Sequence, residues 1–176
     1  MLETIITSKT RVKLLLKFFL NSNNSGYLRS LETEFHEGSN AIRLELNRFE
    51  NAGLLSSKML GNKKIFISNQ KHPMFPVLNS MVRKYIGIDQ IIDEIIDKTG
   101  DLDRVYLTGK IAKGLNSEII ELLIIGEDVN RIYLQKLVQK AEQLIQKKIS
   151  FVVFTASDFV VFSKNNLKDH LLIWNR

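Results

Sequence analysis

The stretch from residue 40 to residue 67 constrains this chain more than any other. A run ending Leu46-Asn47-Arg48-Phe49-Glu50-Asn51-Ala52 is stopped by Gly53, and two β-prone runs follow, 54–60 and 63–67, separated by Gly61-Asn62. A glycine just past a helical run supplies the left-handed C′ position that ends many helices. A Gly-Asn pair between β-prone segments is a tight hairpin turn. The spacing therefore predicts a helix over 40–52 leading directly into a hairpin. At 100° per residue Ile42, Leu46, Phe49 and Gly53 fall on one line and face a core. Asn40, Arg43, Asn47 and Asn51 lie opposite, with Arg48 at the edge. Cations and amides are the side chains that bond to base edges and phosphates in a major groove.

Two further helices precede this one. Val12, Leu15, Leu16 and Phe19 recur at helical spacing over 9–20, with Ser8 placed to cap them, and 28–35 forms a second, shorter helix after a turn-rich break at 21–26. Three helices followed by a hairpin with Lys58, Lys63 and Lys64 near its tip is the order of a winged helix-turn-helix, in which a recognition helix enters the major groove and the wing follows the backbone. On that reading Arg43 and Asn47, with Asn40, read bases. Lys58, Lys63, Lys64 and Arg48 hold phosphates, with Asn62 beside them at the tip. Charge agrees. Through Gly87 there are 13 Lys/Arg against 6 Asp/Glu, and beyond it 12 against 13, so all of the net +6 sits in the first half. A basic module joined to a near-neutral one points to a polyanionic partner for the first. The runs 8–15, 46–55 and 61–64 resemble bacterial winged-helix regulators of the ArsR/MarR-like kind, which implies double-stranded DNA as the partner and transcription regulation as the function.

Past Pro73 and Pro76 two apolar stripes follow, Phe75, Leu78, Val82 and Tyr85, then Ile88, Ile91, Ile92, Ile95 and Ile96, with Gly87 between them. One stripe covers its own domain, leaving the other for the next domain or a second copy, so 73–98 is expected to connect the domains and to form a homodimer seam. From Asp101 the pattern alternates strand and helix: strands at 105–108 and 119–125, a helix over 131–146, and a strand at 149–155 that is apolar on both faces and so expected at the centre of a sheet. A short helix opens at Ser157-Asp158-Phe159 and a last one is expected over 167–174, with Phe159, Phe162 and Trp174 in their core.

Leu107-Thr108-Gly109 and the run Glu121 to Gly126, preceded in the chain by His72-Pro73-Met74-Phe75-Pro76 and Tyr85-Ile86-Gly87-Ile88, resemble a minimal nucleotidyltransferase-like domain fused behind a winged helix. Active members hold nucleotide phosphates on a Gly-Ser loop and two magnesium ions on three carboxylates. The resemblance places these positions at Gly109 and Lys110 for the loop and at Ile119, Glu121 and Ser150 for the carboxylates, so one acid of three is present. It therefore implies a vestigial site, with no metal, no cofactor and no enzymatic activity. The expected fold is an α+β or α/β chain in two domains: a winged helix-turn-helix over 1–72, the connecting helix 73–98, and a small nucleotidyltransferase-like α/β domain over 99–176. The alternatives are a metal-dependent nucleotidyltransferase that uses the winged helix for targeting, and a protein-interaction adaptor.

The remaining composition removes other classes. Cysteine is absent, which excludes disulfides and thiolate metal sites, and the three histidines, at 36, 72 and 170, lack ligand spacing. The first apolar stretch, 14–20, is short and broken by Lys17, unlike a signal peptide or a membrane span. A cytoplasmic protein without a membrane partner is expected; no effector is identified.

Overall fold

The computed structural model describes residues 5–166 and 170–176. It is a mixed α/β structure with two sheets, and it divides into two compact units, 1–85 with 114–116, and 86–113 with 117–176.

In the first unit, α1 (Lys9–Leu15) starts at Ser8, whose Oγ accepts from the Arg11 N–H, and continues as a π-helical turn over Leu16–Leu20. That turn is buried throughout. The Phe19 carbonyl at its end accepts from Asn79 Nδ2 at 2.6 Å, and buried Lys17 reaches Glu34 at 2.6 Å. A two-residue strand β1 (Ser25–Gly26) interrupts the segment expected to be only a turn. Then come α2 (Leu28–Phe35) and α3 (Ser39–Asn51), joined at His36 in the left-handed conformation. Gly53, at φ +73°, closes α3: its N–H reaches Glu50 O and that of Leu54 reaches Phe49 O, which satisfies two carbonyls the helix leaves open. β2 (Leu55–Leu60) and β3 (Lys63–Ser68) form the hairpin, and Gly61 takes φ +59°, as the first position of a II′ turn requires. The sheet order is β1-β3-β2. Phe18, Phe19, Leu31, Ile42 and Leu46 are almost fully buried, and α4 (Phe75–Ile86) adds Phe75, whose ring lies 5.8 Å from Phe19.

In the second unit, the helical segments over 88–99, together α5, follow Gly87 and pack beside α7 (Arg131–Ile145), where Lys140 pairs with Glu94 at 3.0 Å. The first apolar stripe is thus used inside the first unit and the second inside this one, since Ile88, Ile91, Ile95 and Ile96 are buried. The sheet runs β6 (Lys148–Phe154), β5 (Ile119–Ile125), β4 (Arg104–Thr108), β7 (Leu171–Asn175), with β5 and β6 parallel and the other pairs antiparallel. One-turn α6 (Gly109–Ala112) follows β4, and α8 (Ala156–Asn166) covers part of one sheet face, where Phe159 packs on Leu123 and Ile125 and stacks on Tyr106.

Two expectations fail here. The 149–155 strand is at the edge rather than the centre: Ile149 is buried, but Phe151, Val153 and Phe154 are only partly covered and Val152 is 54% exposed. Part of the segment expected as a last helix is strand β7, carrying half-buried Trp174. Residues 167–169 of that expected helix lie outside the described residues. Leu171-Leu172-Ile173-Trp174 is apolar at every position, so periodicity does not separate helix from strand there, and the open edge of β4 decides it.

Candidate nucleic-acid interface and the open sheet face

α3 presents the two faces its spacing predicts. Ile42, Leu46 and Phe49 are buried, while Asn40, Arg43, Asn47 and Asn51 are exposed. Between α3, the start of α2 and the hairpin lies a groove of about 460 Å³. Leu28, Leu46 and Phe66 contribute apolar lining, and Arg29, Arg43, Lys63 and Lys64 bring four cations, with the amides of Asn47 and Asn62 and the ring of Tyr27. Among the described residues no acidic side chain lines it.

Of the eight residues expected to meet DNA, the fold gathers Arg43, Asn47, Asn62, Lys63 and Lys64 here. Asn40, Arg48 and Lys58 are exposed but lie outside the groove. Arg48 is held by Glu45 at 2.9 Å, and the same carboxylate takes two bonds from Arg11, at 2.9 and 3.0 Å. Burial alone pushes the Glu45 carboxyl upward, but the Arg11 hydrogen bonds and the two guanidinium charges outweigh it and hold it below the ordinary glutamate value. Lys64 is likewise paired, with Glu50 at 2.6 Å. That bond and one from Ser57 lower the Glu50 carboxyl. Lys63 stands over the Tyr27 ring, its ammonium 4.6 Å from the centroid.

Tyr27 and Arg29 were not among the expected residues. Arg29 is an exposed cation in the first turn of α2 and was legible by the same charge criterion applied to α3. Tyr27 was not, because only the pairing of β1 with β3 brings it beneath the hairpin.

In the second unit the strand register sets Thr108, Glu121 and Ser150 side by side across β4, β5 and β6. Gly109, at φ +65°, begins α6 directly after Thr108, and the Glu121 carboxylate is seated against it: a Cβ there would lie 2.0 Å from Oε1. Any other residue at 109 displaces Glu121. Ile119 and Lys110 are exposed at either end of this corner. The resemblance to a nucleotidyltransferase implies a two-metal centre, and the residues present do not fit one. Glu121 is the one carboxylate at the expected positions, and among the described residues no three His, Cys, Asp or Glu side chains gather into a metal-binding group. Among the described residues no helix is long and apolar enough to cross a membrane.

No protein family and no curated protein matches the chain. Among solved structures it is similar to the toxin–antitoxin MntA–HpeT, at 21% identity and a TM-score of 0.42, over 50% of this chain and 73% of that one. A toxin–antitoxin solved with AMP-PNP matches at 20% identity and the same TM-score of 0.42, again over 50% and 73%. A protein from Sulfolobus solfataricus, described as a candidate nucleotidyltransferase, matches at 21% identity and a TM-score of 0.37, over 56% of this chain and 86% of its own. With TM-scores below 0.5 these likenesses assign no activity to the chain. The expectation of no enzymatic activity is corrected to this extent: with a described nucleotidyltransferase and a toxin–antitoxin solved with AMP-PNP among the similar structures, it does not stand.

Proposed function

We propose that this chain binds double-stranded DNA through its first unit, a winged helix in which α3 is the recognition helix and β2–β3 the wing, and that it acts as a transcription regulator. The observation that carries this reading is the groove: Arg43 and Asn47 from α3 meet Lys63 and Lys64 from the hairpin, and among the described residues only Lys64 of these four is paired with a carboxylate, that of Glu50. Arg43 and Asn47 present the donor and acceptor patterns that suit guanine and adenine edges, while Lys63 and Lys64 suit phosphates. The apolar lining by Leu28, Leu46 and Phe66 suits the deoxyribose of a strand passing between helix and hairpin. Asn40 and Lys58, exposed beside the groove, extend the contact. Arg48 serves chiefly as a partner of Glu45.

A second reading shares this docking step. In it the protein is a nucleotidyltransferase targeted by the basic unit, and the observation in its favour is the row Thr108, Glu121 and Ser150 beside Gly109 on a small mixed sheet. Because the donor set does not fit two metal ions, no transfer step is derived from it.

Fluorescence anisotropy tests the first reading. Purified protein is titrated into DNA from upstream of its own gene and into a scrambled duplex, across a salt series. A preference for the native duplex that persists near physiological salt supports regulation. Equal, steeply salt-dependent binding leaves only phosphate contacts, and no binding overturns the reading. Incubation with labelled nucleoside triphosphates, DNA and Mg²⁺ or Mn²⁺ tests the second: label retained on DNA or protein favours it, and its absence across all four nucleotides removes it.

A further inference from the structure

We infer that Tyr27 is a positioning residue that holds the wing cation Lys63 at the mouth of the groove, where it takes a phosphate of the DNA backbone. This rests on the DNA-binding reading. Lys63 is the first residue of β3 and is exposed, and a lysine on a free hairpin tip samples many rotamers. Here its ammonium lies 4.6 Å from the Tyr27 ring centroid, within the range in which a ring face attracts a cation. The backbone that carries the ring is anchored on both sides. Ser25 and Gly26, just before it, pair with Ile67 and Phe66 of β3, so the platform is registered to the strand that carries Lys63. After it, the Tyr27 N–H donates to Ser30 Oγ at 3.1 Å, and the Ser30 hydroxyl donates to Tyr27 O at 2.8 Å, which fixes the entry to α2. Gly26 lets this corner close: a Cβ there would come 2.9 Å from Leu31 Cδ2. The ring occupies one side of the ammonium and leaves its remaining hydrogens to donate to a phosphate oxygen.

The test compares the full-length wild type with Tyr27→Leu, Tyr27→Phe, Lys63→Ala and the double variant Tyr27→Leu/Lys63→Ala, measuring duplex affinity by anisotropy across a salt series. Tyr27→Leu is expected to weaken binding about two- to five-fold. It should also move the log–log salt slope toward that of Lys63→Ala, which loses about 0.9 of a unit with its phosphate contact. Tyr27→Phe keeps the ring and behaves as wild type, and the double variant binds no more weakly than Lys63→Ala. A Tyr27→Leu loss with an unchanged salt slope, or one that adds in full to Lys63→Ala, overturns the proposal, because Tyr27 then acts independently of Lys63. A second measurement needs no DNA. In NMR spectra the Lys63 ε-methylene protons are expected upfield of lysines that face no ring in the wild type and in Tyr27→Phe, and not in Tyr27→Leu, whereas those of Lys64, whose ammonium lies 5.1 Å from the Phe66 centroid, keep their position in all three. Absence of that shift in the wild type overturns the proposal even where DNA binding holds. Its presence without any DNA binding upholds the Tyr27–Lys63 contact while removing the DNA reading.

Discussion

The candidate sites of the two units handle charge differently. In the first, cations near the proposed interface have partners that fix them: Arg11 and Arg48 share buried Glu45, Lys64 meets Glu50, and Lys63 rests on Tyr27. Arg43 and Asn47 are left exposed among these pairs as the groups that face outward. In the second unit the corner at Gly109 has the Glu121 carboxylate pressed against the glycine, with uncharged Ile119 and Ser150 and the exposed cation Lys110 around it. Paired cations shape a surface for a polyanion. Among the described residues Glu121 is not joined by the further ligands that a divalent-metal group of three would need.

The largest expected effects test whether DNA binding belongs to the first unit alone. Leu46→Ala and Ile124→Ala each remove a side chain no more than 1% exposed, and each should cost about 2–5 kcal/mol in urea unfolding. Below the melting range Leu46→Ala, which also strips apolar lining from the groove, should weaken DNA binding, while Ile124→Ala leaves it unchanged. Equal losses would dissolve the contrast between the units.

Next in size, Arg43→Ala should cost about 1–3 kcal/mol on the preferred duplex and relax specificity, whereas Glu121→Gln leaves DNA affinity alone. If anisotropy gives Arg43→Ala the same uniform loss on every sequence, Arg43 contacts phosphate rather than bases.

Acid titration sharpens the comparison further. Glu45 has its carboxyl lowered in the folded protein, so the ion pairs it makes stabilise the fold at neutral pH. That contribution is lost as pH falls below the ordinary glutamate range and through the lower folded value. Glu45→Gln should therefore reduce stability at pH 7 and flatten the acid dependence of the urea midpoint. A variant with the wild-type pH profile would show that the Arg11–Glu45–Arg48 cluster contributes nothing to folding. The smallest effect belongs to Lys58→Ala, exposed and outside the groove, which should cost under about 1 kcal/mol equally on all duplexes and reduce the salt slope slightly.

Much of the candidate interface was legible from residues alone. Helical spacing placed Arg43 and Asn47 opposite Ile42 and Leu46, and Gly53 and Gly61-Asn62 marked the end of α3 and the hairpin turn. The roles of Arg48 and Tyr27 were not legible. Arg48 answers to a carboxylate that also binds Arg11, 34 positions away from Glu45. Tyr27 reaches Lys63 only through a strand of two residues.

What the sequence by itself determined is therefore local: α2, α3, the hairpin and α7, whose hydrogen bonds close within a few residues or across one turn and whose apolar periods match those bonds. Tertiary structure decided the rest. It set β6 at the sheet edge, made a strand of 171–175 beside β4, folded both apolar stripes into separate cores, and seated Glu121 against Gly109. Each of these depends on which backbone edge or side chain lies across from a residue far away in the chain, and the pattern of neighbours along the sequence carries no record of that.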